Sequence, residues 1–252
     1  MSIPYLLNPY PGLIRRKRGK KPVIYLFSPE IVDASVHLSL VPEWSFSSVF
    51  PVVPVQTSKA GRDAVQWNVR THMNGSLTEL CTGMEVSYLF WEADVVPEPC
   101  RASLKAEESP ERFNPASCDL SNANAVLLPA PDVVPYLNNV LEMLGLHTEA
   151  RTSFITFWIP YFFRHKYVAF RFLPQSAYSE AAPLTVDPEP DVVTRIFMLF
   201  MGVADEDRAK WGAAELRARQ DPAWWKWVVG IEEAQFTDET LFRVLEWGGM
   251  EI

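Results

Sequence analysis

Residues 64–70 alternate without a break: Val65, Trp67 and Val69 fall on one side, Gln66, Asn68 and Arg70 on the other. Successive side chains of a strand point to opposite faces, so the pattern fits a strand with one face in a core and one in water. A helix would scatter the same residues around its surface. Residues 34–41 repeat the pattern, with Val36, Leu38 and Leu40 against Ser35, His37 and Ser39. Half-exposed strands of this kind belong to antiparallel sheets. Asn74-Gly75, between the 64–70 strand and Leu77–Leu80, marks a hairpin.

Other segments extend the sheet. Residues 22–28 are a short apolar run that reads as a buried strand. Pro51 and Pro54 make 44–53 an edge strand, because proline cannot donate to a ladder. Residues 85–92 are apolar on both faces toward their end, which places that strand centrally. Strands are also predicted at 167–173, at 192–201 and from Leu241 to Trp247, the last ending at Gly248-Gly249. Residues 93–125, rich in Pro, Ser, Asn and charge, read as a long loop or insertion.

A helix pair fills 132–159. Asp132 is placed to cap the first helix, whose stripe Val133, Leu137, Val140, Leu141 and Leu144 stops at Gly145. Thr148 is placed to cap the second, with Phe154, Ile155 and Trp158 inward and Pro160 as its end. Residues 204–219 favour a solvated helix, and Trp224, Trp225 and Trp227 follow in a Trp-rich insertion near 205–230. The expected fold is β-rich, mainly an antiparallel two-sheet sandwich with a helix pair, α+β by content. Proline outnumbers glycine 21 to 11, which argues against Gly-rich, doubly wound nucleotide-binding designs.

Charge divides the chain. Arg15, Arg16, Lys17, Arg18, Lys20 and Lys21 crowd one stretch, and residues 1–21 contain no acid. Taking those six from the 23 basic residues leaves 17 against 31 acidic ones, a balance of −14. The organisation read from this is a basic leader, 1–21, and one β-rich domain, 22–252. The acidic body repels nucleic acid. The leader reads as a solvated segment, with a nuclear address or a phosphate-binding arm as alternatives. Cys81, Cys100 and Cys118 are odd in number and form no CxxC pair, the habit of a reduced, cytoplasmic protein. No apolar run reaches the ~18 residues that a membrane span needs.

Lys21-Pro22-Val23-Ile24-Tyr25-Leu26 resembles the opening of a widespread, mostly bacterial protein family with a Lys-Pro-Val-Ile-Tyr-Leu-Tyr-Pro signature. Four further blocks are similar: Ser87-Tyr88-Leu89-Phe90-Trp91-Glu92, Leu144-Gly145-Leu146, Ala182-Pro183-Leu184 with Pro190-Asp191, and Glu246-Trp247-Gly248-Gly249. Phe27-Ser28-Pro29 departs from the signature, and the 205–230 stretch looks like an insertion. The resemblance implies one integrated domain from residue 20 onward and brings no activity with it.

Standard catalytic patterns are absent from the sequence: no phosphate loop, no GxSxG elbow, and no HxH or HxxxH among His37, His72, His147 and His165. No metal or cofactor is therefore expected. The informative pattern is charge inside apolar strands. Glu92 shares a face with Val86, Tyr88 and Phe90, Arg195 with Val193, Phe197 and Leu199, Glu246 with Phe242 and Val244, and Arg171 with Tyr167 and Ala169. A lone buried charge costs several kcal/mol, so at least two of these groups should meet as carboxylate–guanidinium pairs. The ordinary reading is an ion pair at the sheet rim. The functional reading is a polar floor in an apolar pocket, with Glu92, Arg195 and Glu246 catalytic and Trp91, Tyr88, Trp158, Arg171, Asp191 and Trp247 touching ligand. Two functional classes follow: a protein binding a small apolar molecule or a protein partner, or a cofactor-independent hydrolase, isomerase or cyclase with an aromatic pocket.

Overall fold

The computed structural model describes residues 18–96, 113–231 and 236–252. Eight strands come first: β1 (Arg18–Phe27), β2 (Asp33–Ser39), β3 (Trp44–Phe50), β4 (Gln56–Thr57), β5 (Asp63–Thr71), β6 (Leu77–Glu79), β7 (Glu85–Val86) and β8 (Leu89–Val95). Strand β9 (Val126–Pro129) leads into helices α1 (Ala130–Met143) and α2 (Thr148–Phe162). Then follow β10 (Tyr167–Phe172), α3 (Gln175–Ala181), β11 (Leu184–Asp187), β12 (Val192–Val203), α4 (Gly212–Arg217), α5 (Trp225–Val229) and β13 (Arg243–Glu251).

Two sheets form the expected sandwich. One has seven strands in the order β3-β8-β1-β13-β12-β10-β9, and the other runs β11-β2-β5-β6-β7 with β4 also beside β5. Among the described residues, β12 with β13 is the one parallel pairing. The alternating residues meet between the sheets: Val36, Leu38, Val65, Trp67 and Val69 face Ile24, Leu26, Trp91, Phe197 and Val244. The second face of the larger sheet, with Val23, Tyr25, Ile196, Met198 and Trp247, is covered by Val133, Leu137, Val140, Phe154 and Trp158 of α1 and α2. That is why β1 and β12 are apolar on both faces. Each fully buried Val, Leu, Ile or Phe contributes roughly 1.5–3 kcal/mol. The outer face of the smaller sheet keeps Gln66, Asn68 and Arg70 in water. The Asn74-Gly75 turn joins β5 to β6, with Gly75 at φ +82° and the Asn74 side chain accepting the Ser76 N–H at 3.0 Å.

Several boundaries differ from the expectation. The sheet begins at Arg18 rather than Pro22. Partners across the sheet and on α2 hold these basic residues: Arg18 pairs with Asp94 of β8 at 2.5 Å, and Lys20 donates to the Tyr161 hydroxyl of α2 at 2.9 Å. Arg15, Arg16 and Lys17 lie outside the described residues, as do Cys100 and residues 97–112 of the predicted loop. The single strand expected at 85–92 is two, β7 at the edge of the smaller sheet and β8 in the larger one. The chain changes sheets at Ser87-Tyr88. Helix α1 starts before Asp132, with Pro129 at its cap, and α2 runs past Pro160 because the Phe163 N–H still bonds the Ile159 carbonyl. The 204–219 segment is a 3-10 turn, Asp205–Trp211, followed by the short α4. The tryptophan triplet is no flat patch: Trp225 is buried and stacks on Trp224 at 4.0 Å, while Trp227 is 89% exposed. Among the described residues, no helix is long and apolar enough to cross a membrane.

Strand β13 does not stop at Gly248-Gly249 but runs through them. Both glycines serve close approach. A Cβ on Gly248 would stand 2.8 Å from the Pro22 ring, and one on Gly249 would stand 2.9 Å from the Trp158 indole and 3.0 Å from the Met198 carbonyl. Gly249→Ala is therefore expected to destabilise by about 1–3 kcal/mol, the usual cost of overpacking. Urea denaturation that shows no loss would contradict this packing.

Candidate functional site

Two of the intra-strand charges meet. The parallel register sets Arg195 of β12 beside Glu246 of β13. Their side chains pair at 2.5 Å, with Arg195 2% exposed and Glu246 0%. This is a pair enclosed between the layers, not one at the rim. Glu246 also accepts from the Trp91 indole N–H at 2.9 Å and from the Tyr178 hydroxyl at 3.1 Å. Helix α3 closes the other side: Ser179 accepts from Arg195 Nη1 at 3.2 Å, and Gln175 accepts the Arg195 backbone N–H at 2.7 Å. That last bond continues the β12 ladder where the neighbouring strand β10 is not paired. Burial, and then the charge of Glu246, hold the Tyr178 phenol well above its ordinary pKa. Apart from Arg195 Nη2, which is buried without a hydrogen-bond partner, the charged groups are met from within the fold, and the geometry is that of a structural polar core.

Glu92 faces away from that core. Strand alternation sends Trp91 inward and Glu92 outward, into a groove of about 860 Å³. The groove lies where the chain crosses from β7 to β8. Phe50, Val86, Tyr88, Phe90 and Phe157 supply apolar surface, and Lys21, Glu85 and Glu92 supply charge. Lys21 occupies a bulge in β1, where the pairing register shifts against both β8 and β13. Bulges re-aim side chains at sheet positions that would otherwise be fixed. Its backbone sits at φ +51°, the only positive φ on a non-glycine residue among the described residues. The Lys21 N–H donates to Glu92 Oε1 at 3.3 Å. Its ammonium lies 5.3 Å from the centre of the Phe157 ring and 5.8 Å from that of Trp247. Burial lowers the Lys21 pKa, against the opposing pull of Glu149 and Glu92. Beneath the groove, the Tyr25 ring meets Tyr88 edge-on at 5.3 Å. Burial first, and the charge of Glu149 second, suppress the acidity of that phenol.

Left-handed backbone costs a residue with a side chain roughly 1–2 kcal/mol. Such strain persists where surroundings over-determine it, often at functional sites. Lys21→Gly is accordingly expected to leave thermal stability unchanged or to raise it by about 1 kcal/mol. A clear drop in Tm would assign Lys21 a structural role instead.

The other predicted residues divide between the two faces of the larger sheet. Trp158 and Trp247 are buried under the helices. Arg171 is on the interlayer side of β10, outside the cluster, and burial lowers its pKa against the pull of Asp119. Asp191 staples the starts of β12 and β13, accepting the Phe242 N–H at 2.8 Å. Of the nine residues proposed from sequence, only Glu92 and Tyr88 line the groove. Lys21 was assigned to the leader, and its signals were a cation abutting an apolar strand and the first position of the resembled signature. A second cavity, about 230 Å³, lies between His147, Thr194, Phe236 and Arg243 and contains none of the nine. No protein-family model, curated protein or solved structure matches the chain.

Proposed function

We propose that the protein binds a small molecule with a largely apolar body in the groove between Lys21, Tyr88, Glu92 and Phe157. The observation that carries this reading is the placement of a half-buried lysine, on strained backbone, at the wall of a large aromatic groove. Ligand sites combine apolar walls with a few convergent polar groups, and this groove has that composition. The reading favours a small molecule over a protein partner, because the polar groups converge inside a concavity. We also propose that the chain belongs with the family whose opening it resembles. Three of the similar blocks, Lys21–Leu26, Ser87–Glu92 and Glu246–Gly249, lie on or beside the adjacent strands β8, β1 and β13, and the first two contribute residues to this groove.

A second reading, a cofactor-independent enzyme, is favoured by the burial-lowered amine of Lys21, whose backbone N–H bonds the Glu92 carboxylate. It moves the chemistry away from Arg195 and Glu246, which no substrate can reach without opening the sandwich. Ser87 is exposed and lines the groove, so Ser87→Trp should fill it without touching the core. Calorimetric titration of the full chain with naphthylmethanol is expected to show binding that Ser87→Trp weakens by about ten-fold or more, some 1.4 kcal/mol. Equal binding by both proteins would remove the groove as the site.

A further inference from the structure

We infer that Lys21 is a carbonyl-capturing amine, forming a reversible imine with an aldehyde or ketone whose apolar body lies in the groove. The inference rests on the reading of this groove as a ligand site and names the class of molecule it takes. Three geometric facts support it. The β1 bulge takes Lys21 out of the regular ladder, so its backbone is free to aim the side chain. Ring faces of Phe157 and Trp247 flank the ammonium and displace water from it. The Glu92 carboxylate is tied to the root of the same residue.

Other lysines show the contrast. Lys166 pairs with Asp205 at 2.5 Å and Lys210 with Asp207 at 2.6 Å, and both pKa values are raised by those partners. Such amines are held protonated and are poor nucleophiles. Burial moves Lys21 the other way, toward the free amine. Lysines desolvated in apolar surroundings are the ones that form Schiff bases.

The step balances without a further reactant. The free Nζ lone pair attacks the carbonyl carbon, and the C–O π pair moves to oxygen, which takes a proton from solvent. Nitrogen loses a proton, and the resulting carbinolamine expels its hydroxyl, protonated, as water. The product is an iminium ion, and the same water reverses the reaction. Water takes the proton that leaves nitrogen and supplies the one that the departing hydroxyl carries away.

The test uses the full chain, naphthaldehyde and cyanoborohydride, which reduces the imine to a stable secondary amine. Intact-mass analysis and peptide mapping then locate the adduct. Capture at Lys21 is expected to run at least about ten-fold faster than at exposed Lys166 or Lys210, some 1.4 kcal/mol in barrier. Lys21→Arg and Lys21→Gly should each abolish the fast adduct, and the glycine variant guards against misfolding because it relieves the backbone. Adducts spread evenly over the surface lysines, or unchanged in both variants, would overturn the proposal. Binding of naphthylmethanol, which has no carbonyl, separates the two readings. If it binds in the groove and Lys21 is not captured, the amine chemistry fails and the ligand site stands. If the alcohol does not bind either, both fail.

Discussion

Replacing Glu246 with leucine is expected to cost the fold about 3–5 kcal/mol, with a fall in Tm of roughly 6–20 °C for a chain of this size. The cause is not the lost attraction alone. Leucine strands the Arg195 guanidinium between two sheets, where it is 2% exposed. It also leaves the Trp91 N–H and the Tyr178 hydroxyl without their acceptor. Each buried donor so abandoned costs about 1–3 kcal/mol. The double variant Arg195→Met with Glu246→Leu should be more stable than Glu246→Leu alone, because no uncompensated charge remains. It should still fall short of the native chain, since Trp91 and Tyr178 stay unsatisfied. Urea unfolding of both single variants and the double variant measures the coupling. Purely additive losses would contradict the account.

Trp158→Ala is expected to cost about 3–5 kcal/mol, as removal of a fully buried tryptophan generally does. Trp158 is wholly enclosed beneath α2. It meets Phe157 at 4.8 Å, Phe200 at 5.1 Å and Tyr161 at 5.2 Å, edge-on in each case. It also fills the space that Gly249 leaves above β13. The sequence offered Trp158 as a ligand contact, and the structure makes it a keystone between helix and sheet. Its loss should shift the denaturation midpoint strongly while leaving capture at Lys21 intact under native conditions. A stable Trp158→Ala protein with impaired capture would restore it to the site.

The sandwich was legible because one buried face imposes a period of two on β2 and β5, and no helix mimics that. Register and sheet membership were not legible. Glu85 to Glu92 reads as one apolar strand, yet Ser87-Tyr88 carries the chain between sheets, a change that only packing decides. The Arg195–Glu246 pair followed from electrostatics: charges on apolar faces must find each other. Its depth did not follow, because the burial of a pair depends on which strands are neighbours, and β12 and β13 are separated by the whole 205–230 region. Trp91 and Glu92 were expected in one site, but the two-residue period sends them to opposite faces. Lys21 was illegible for a local reason. A left-handed residue in a bulge has no pattern of its own, and Lys21 reads as the end of a basic run.

The account turns on the groove, and amide hydrogen exchange with and without naphthylmethanol tests it most directly. Slower exchange is predicted at residues 19–24 and 85–92, the β1 bulge and the crossing between sheets. Protection confined to residues 236–245, beside the smaller cavity, would contradict it, as would no protection at saturating ligand.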